Sequence, residues 1–390
     1  MIPLIAQKTR YCSVLQGELP DGCKGCVKGE KLVLFITGMC PATCFFCPLS
    51  EEKKNKDVIF ANELELKGTD DEKINAMIAE AKANRATGAG ITGGDPLCKV
   101  QRTCAFIRAL KKEFGKKFHV HLYTPLILVN EMTLKALFDS GLDEIRFHPS
   151  LQSEKFWGRM KLAQVYPWNV GIEIPVFPDK IEETKRLITY AADNSLIDFL
   201  NLNELEISER TTEVFNARGY VIKNKTSYAI RGSKDAALEL MKHARDFGLT
   251  AHFCTTRLKD RVQMGNRILK RAQEEAKPFD IVDDEGMLTR GAIYLHYAPE
   301  YGYTKKMRSL SIEECEQEII QLADVYAWLR LCGMPADAGM IDKERLRIIL
   351  GAKILRAMNK LLKKKFKNAA TAIITEYPTS DAFIVELEVL

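Results

Sequence analysis

The sequence predicts an α/β protein, a partial (β/α)6 barrel followed by a smaller α+β extension. Three observations carry that expectation. From residue 31 onward, short apolar or β-branched runs alternate with stretches of helical periodicity, the pattern of βα units around a parallel sheet. Six such units are too few to close a complete eight-stranded barrel. Near residue 255 the rhythm changes to long Lys/Arg-rich segments and a final hairpin around 378–381, which sets the extension apart.

Taken in order, the runs at 32–37, 90–92, 119–123, 144–147, 171–176 and 198–205 read as strands, and right-handed crossovers follow from their parallel arrangement. Between the first two, Ile74, Met77, Ile78 and Ala81 recur three and four residues apart and line one helical face over 72–85. A helix over 234–247 leads to a further strand at 249–255. The expected organisation is therefore an N-terminal cysteine-containing segment (1–30) packing on the barrel, the barrel itself (31–256), and a basic helical and hairpin extension (257–390).

With 390 residues, of which 46% are hydrophobic, the chain can bury a substantial core. Residues 1–10 lack a basic start followed by an apolar stretch. The most apolar run, 32–49, is broken by Thr37, Gly38, Pro41 and three cysteines, so neither a signal peptide nor a membrane span is expected. Eleven cysteines, odd in number and partly grouped, suit metal binding in a reducing, cytoplasmic setting better than a disulfide framework. A net charge of +5 is too modest to argue for nucleic acid by itself.

The chemistry sits on the loop after the first strand. Cys40, Cys44 and Cys47 give Cys-x3-Cys-x2-Cys, three thiolates able to converge on one cluster while leaving one iron of a 4Fe-4S cube open. A zinc knuckle is the competing reading, and it needs a fourth ligand to close its tetrahedron. At the end of the second strand lies Thr92-Gly93-Gly94-Asp95-Pro96, whose glycines let the main chain come close to a ligand. The run 88–93 also satisfies Gly-x-Gly-x-x-Gly, but a dinucleotide fingerprint follows a strand and opens a helix, whereas here a helix precedes it.

The cysteine spacing, its position after the first strand and the aromatic Phe46 before the last cysteine resemble the radical S-adenosylmethionine (SAM) superfamily, in the branch related to pyruvate formate-lyase activating enzyme. The resemblance covers roughly the barrel. It implies that Cys40, Cys44 and Cys47 hold a 4Fe-4S cluster whose open iron chelates SAM, and that reductive cleavage of SAM yields a 5′-deoxyadenosyl radical that abstracts hydrogen from a substrate. It implies SAM contacts from Phe46 and from Gly93, Gly94, Asp95 and Pro96, with Asp95 standing where the family has Glu. Thr124, Glu173 and Asn203, at later strand ends, are the further candidates, Glu173 and Asn203 near the ribose and amino group. An electron donor such as a flavodoxin or ferredoxin is implied as a partner.

A second metal site is expected from Cys12, Cys23 and Cys26, with Cys254 as fourth ligand and His252 a weaker one. Four thiolates suit either zinc or an auxiliary iron-sulfur cluster. Cys98, Cys104, Cys315 and Cys332 read as core residues. Basic stretches at 257–271 and 343–367 favour tRNA or another macromolecule as the substrate, although Leu346, Ile349, Leu350, Ile354, Leu355 and Leu361 make the second stretch equally the wet side of an amphipathic helix. The alternatives are a glycyl-radical activase or a small-molecule enzyme. A non-catalytic iron-sulfur electron-transfer or scaffold protein leaves Gly93 to Pro96 unexplained.

Overall fold

A computed structural model describes residues 5–300 and 303–390. The first four residues, on which part of the expectation about the chain's start falls, lie outside the described residues. The chain forms two compact units, residues 1–267 and 268–390, and the division falls within the helix Gly265–Glu275.

In the first unit seven parallel strands lie side by side in chain order: β1 (Lys31–Phe35), β2 (Gly88–Thr92), β3 (His119–Thr124), β4 (Glu144–Phe147), β5 (Asn169–Val176), β6 (Phe199–Glu204) and β7 (Thr250–Cys254). Six crossovers join them, so the sheet is the expected partial barrel with one strand beyond its sixth. The hairpin Phe60–Ala61/Leu64–Glu65 extends the β1 edge. At the other edge, Val14–Gln16 pairs antiparallel with β7 and with Gln7–Lys8.

Local chemistry sets the crossovers. Thr69 and Glu72 form a reciprocal capping box that starts the helix Asp70–Ala83, and Gly141, in the left-handed region, ends the helix Glu131–Ser140. Along each strand one set of side chains, including Leu122, Ile145, Ile172, Leu200 and Phe253, is buried in the main hydrophobic core. The alternate set in β3 to β7 is polar: His121, Arg146, Glu173, Asn201 and His252 are tied to one another or to common neighbours by hydrogen bonds. Period-two alternation thus separates an apolar outer face from a polar lumen.

The second unit is the expected smaller α+β extension, and it departs from the sequence reading in one stretch. Its sheet runs in the order β9 (Gly339–Asp342), β10 (Arg347–Leu350), β8 (Leu288–Tyr294), β11 (Ala370–Glu376), β12 (Ile384–Val389), all antiparallel, with Ile281–Val282 also on β8. The stretch 343–367 is therefore not one helix. Leu346, Ile349 and Leu350 belong to the β9–β10 hairpin, and the helix begins only at Ala352. Arg347 explains the misreading: a charge that looks solvated in sequence is 2% exposed, held by Glu376 at 2.8 Å and Asp342 at 2.9 Å. The β11–β12 hairpin turns where the sequence predicts it. Among the other cysteines, Cys104 is buried but Cys332 is exposed just beyond the helix Ile312–Leu331, contrary to the core reading.

Candidate active site

The cysteine loop leaves β1 and is folded against a return segment. The Gly38 amide donates to the Lys56 carbonyl at 2.8 Å, and the Asn55 amide donates to Gly38 O at 3.0 Å. No side chain fits at Gly38, because a Cβ there would lie 1.6 Å from Lys53 O. Asp57 clamps the same segment. Its carboxylate accepts from Arg102 at 2.6 and 3.1 Å and from Thr37 Oγ1 at 2.9 Å, with Lys99 Nζ at 2.9 Å, and the Arg102 bonds hold its pKa well below the usual carboxylate range.

The Gly93-Gly94 pair rests on this loop. Gly94 N–H donates to Thr37 O (2.7 Å) and Asp95 N–H to Met39 O (2.8 Å), while a Cβ on Gly93 or Gly94 would come within 2.5 Å of Thr37 O or 2.4 Å of Met39 O. The glycines are thus needed for strand-end to loop contact, whatever they also offer a ligand.

Cys40, Cys44 and Cys47 line a cavity of about 390 Å³ together with Phe46, Gly93, Gly94, Thr124, Glu173 and Asn203. Asp95 and Pro96 stand behind this wall. Asp95 Oδ1 accepts from Leu97 N–H at 3.0 Å, starting a short 3-10 turn, and from Thr124 Oγ1 at 2.8 Å. Burial pushes its carboxyl up to about 6, and Oδ2 is buried without a partner. Its reach toward the cavity runs through Thr124.

Glu173 is the best-held group in the lumen. Burial alone raises a carboxyl, but the Arg146 charge and donors from Asn203 (3.0 Å), Asn201 (2.7 Å) and Arg146 (2.7 Å) outweigh it, so the pKa sits below its ordinary value. Arg146, 1% exposed, is itself anchored by Glu144, and Glu144 accepts from the Gly22 amide at 3.0 Å. His148 places Nδ1 3.0 Å from Glu173 O; an N–H facing a carbonyl assigns the proton to Nδ1 and leaves Nε2 a lone pair.

The donor set fits an iron-sulfur cluster with an open iron: three thiols on one loop facing one cavity whose walls supply hydroxyl, amide and carboxylate groups. Burial and neighbouring Cys40 and Cys47 push the Cys44 thiol up to about 11, so taking up a metal displaces protons. Among the described residues no set of three His, Cys, Asp or Glu side chains is already gathered in a coordinating arrangement.

Cys12, Cys23, Cys26 and Cys254, expected as a second metal site, are not gathered in such an arrangement either. Cys23, in the helix Asp21–Cys26, is buried and takes donors from Arg146 (3.4 Å) and Asn201 (3.6 Å). Cys254 ends β7 opposite Asn203, and Cys12 is in the left-handed region at φ 63°, its backbone carbonyl accepting from Thr255 Oγ1 at 2.6 Å. Burial raises the thiols of Cys23, Cys26 and Cys254. His252 is tied through Nδ1 to Asn201 at 3.0 Å, with its buried Nε2 unpartnered.

Sequence reasoning missed Asp57, Arg102, Glu144 and Gly22, whose roles depend on partners 45 to 122 residues away.

Residues 34–155 match the radical SAM superfamily profile. The chain belongs to that superfamily, and membership implies a 4Fe-4S cluster and SAM. It is 39% identical over 380 residues, covering 95% of this chain and 92% of the relative, to a protein of Methanocaldococcus jannaschii provisionally named a glycyl-radical enzyme activating enzyme. Two solved structures of the radical SAM methyltransferase TsrM from Kitasatospora setae, one with tryptophan and aza-SAM and one with cobalamin and a 4Fe-4S cluster, are 10% identical at a TM-score of 0.35. They cover 64% and 65% of this chain, which spans about half of TsrM (52% and 54%). No helix among the described residues is long and apolar enough to cross a membrane.

Proposed function

We propose that this radical SAM enzyme activates a glycyl-radical enzyme, taking a hydrogen atom from the Cα of a glycine in a partner protein. The observation that carries this reading is the 39% identity to the Methanocaldococcus jannaschii protein of that name, because it runs through both compact units and not the barrel alone. When bound, the cluster and SAM supply a one-electron reduction and a hydrogen-abstracting radical. The chain's own work is positional: Cys40, Cys44 and Cys47 are the cluster ligands, Glu173 and Asn203 the polar wall offered to the amino and ribose groups of SAM, and Thr124 and Phe46 the wall beside them. The electron comes from an external donor of flavodoxin or ferredoxin type.

The tRNA reading draws less support. Part of the basic stretch behind it is already engaged within the second unit, Arg347 by Glu376, Arg356 by Glu388 and Lys363 by Leu390 O. We retain Cys12, Cys23, Cys26 and Cys254 as a second metal site, zinc or iron-sulfur. The N–H donors at Cys23 support it, since such bonds stabilise a bound thiolate.

The test is anaerobic: the reconstituted, reduced chain, with iron, sulfide and zinc quantified, is incubated with SAM and a glycyl-radical enzyme apoprotein. Formation of 5′-deoxyadenosine should accompany a protein radical in the electron paramagnetic resonance spectrum that loses its splitting when the glycine is deuterated at Cα. Both should vanish in Cys44→Ala. Deoxyadenosine without any protein radical counts against the activase reading.

A further inference from the structure

A second cavity, about 450 Å³, is lined by residues 41–46 of the cluster loop. It shares Ala42, Cys44, Phe46, Pro125, His148 and Pro175 with the first, so the two meet along the edge where Cys44 and Phe46 stand. Its volume is that of a site for a drug-sized ligand or a short stretch of peptide.

The lining has a definite chemistry. Phe45, Phe46 and Phe177 pack ring against ring at 5.0 to 5.6 Å, and Phe156 and Trp157 face the same space. Trp157, 1% exposed and with its N–H spent on Ser150 O at 2.9 Å, belongs to the packed floor beneath them. No Asp or Glu is on this wall among the described residues, whereas Lys180 and Arg218 both are. The first cavity, by contrast, carries Glu173, Glu204 and Glu206. Lys180 is already held by Glu183 at 2.9 Å. Arg218 lies 4.0 Å over the Phe45 ring and has no acidic partner among the described residues, leaving its hydrogen-bonding edge for an incoming carboxylate.

We propose that this cavity seats a peptide segment of the partner protein, with an apolar side chain among the aromatic rings and an acidic residue on Arg218. This deepens the activase reading and rests on it. A peptide fits because the reacting glycine must reach the first cavity while its neighbours are gripped elsewhere, and the shared edge gives a route between the two. Binding energy gathered away from the reacting atom then serves to position it.

The test measures binding apart from radical chemistry. Two blocked peptides, acetyl-Gly-Phe-Gly-Glu-amide and its Gln counterpart, are titrated calorimetrically into the reconstituted full chain. The Glu peptide should bind roughly tenfold tighter, as expected for a charge-assisted bond to arginine. Arg218→Gln should erase the difference, and Arg218→Glu should prefer a Lys peptide. Ser153→Trp, which adds bulk at an exposed lip position, should weaken both peptides. Equal binding of the Glu and Gln peptides, no binding of either, or Arg218-dependent binding of free phenylpropionate alone would overturn the assignment. A protein radical together with charge-blind peptide binding removes this inference and leaves the activase; Arg218-dependent binding with no protein radical does the reverse.

Discussion

Gly38 shows how a single position sets the cluster loop. With Lys53 O only 1.6 Å from where a Cβ would stand, alanine cannot be absorbed by a rotamer change; the backbone of the loop or of its return segment must move. Both segments are hydrogen-bonded through Gly38 itself, so the displacement reaches Cys40 two residues on. Gly38→Ala is expected to retain less than half the wild-type iron after reconstitution while its circular dichroism is unchanged, because the loss is local. Full iron in the variant would show that the return segment does not position the ligands. The cysteines and glycines of this site were legible in sequence, since their spacing is short and local. Asp57 was not, because nothing near it in the chain signals that Arg102 and Lys99 will surround it.

The helix Asp21–Cys26 illustrates the next scale. Its Gly22 packs where a Cβ would meet Arg146, Glu144 and His121 within 2.8 Å, so the element closes one end of the lumen on top of a buried polar network. Strand positions in that network follow from alternation, and the strands read from the sequence lie within two residues of those observed. Who pairs with whom depends on sheet register and stays hidden until the strands are side by side. Within the network His119 is held neutral: burial and the adjacent Lys31 ammonium, 2.8 Å from Nδ1, lower its pKa to about 4, against the pull of Asp143 and Asp21, while a Glu144 oxygen lies 3.7 Å from Nε2. As pH falls below about 6.5 the unfolded chain takes up a proton that the folded chain refuses, so stability drops between about 6.5 and 4, by roughly 3 kcal/mol in all from this group. Urea midpoints at pH 7.5 and 5 should differ more in wild type than in His119→Gln, which keeps an acceptor for Lys31. Parallel pH profiles would assign the acid sensitivity to the other buried imidazoles, His121 and His252.

Among the described residues the two largest hydrophobic cores are separate, one built on the parallel sheet and one on β8 to β11 with the helices Ile312–Leu331 and Ala352–Lys365. The second also encloses an ionic cluster, with Glu376, 1% exposed, accepting from Arg347 at two points and from Arg290 at 3.1 Å. The misreading of the stretch 343–367 as one amphipathic helix follows from that burial, because composition records the arginine and not its partner. Removing the carboxylate leaves two buried guanidinium groups with one carboxylate partner fewer, Arg347 keeping Asp342 and Arg290 keeping Asp280, a loss on the order of 3 kcal/mol. Chains with distinct cores need not unfold in one step. Scanning calorimetry should therefore resolve two transitions: Glu376→Ala should lower one of them and leave the other in place, while cluster reconstitution and SAM should raise only the second of these, since every proposed cluster ligand lies in the first unit. If instead one transition moves as a whole under both treatments, the two units fold as a single cooperative body, and a lesion at Glu376 should then weaken retention of the cluster as well.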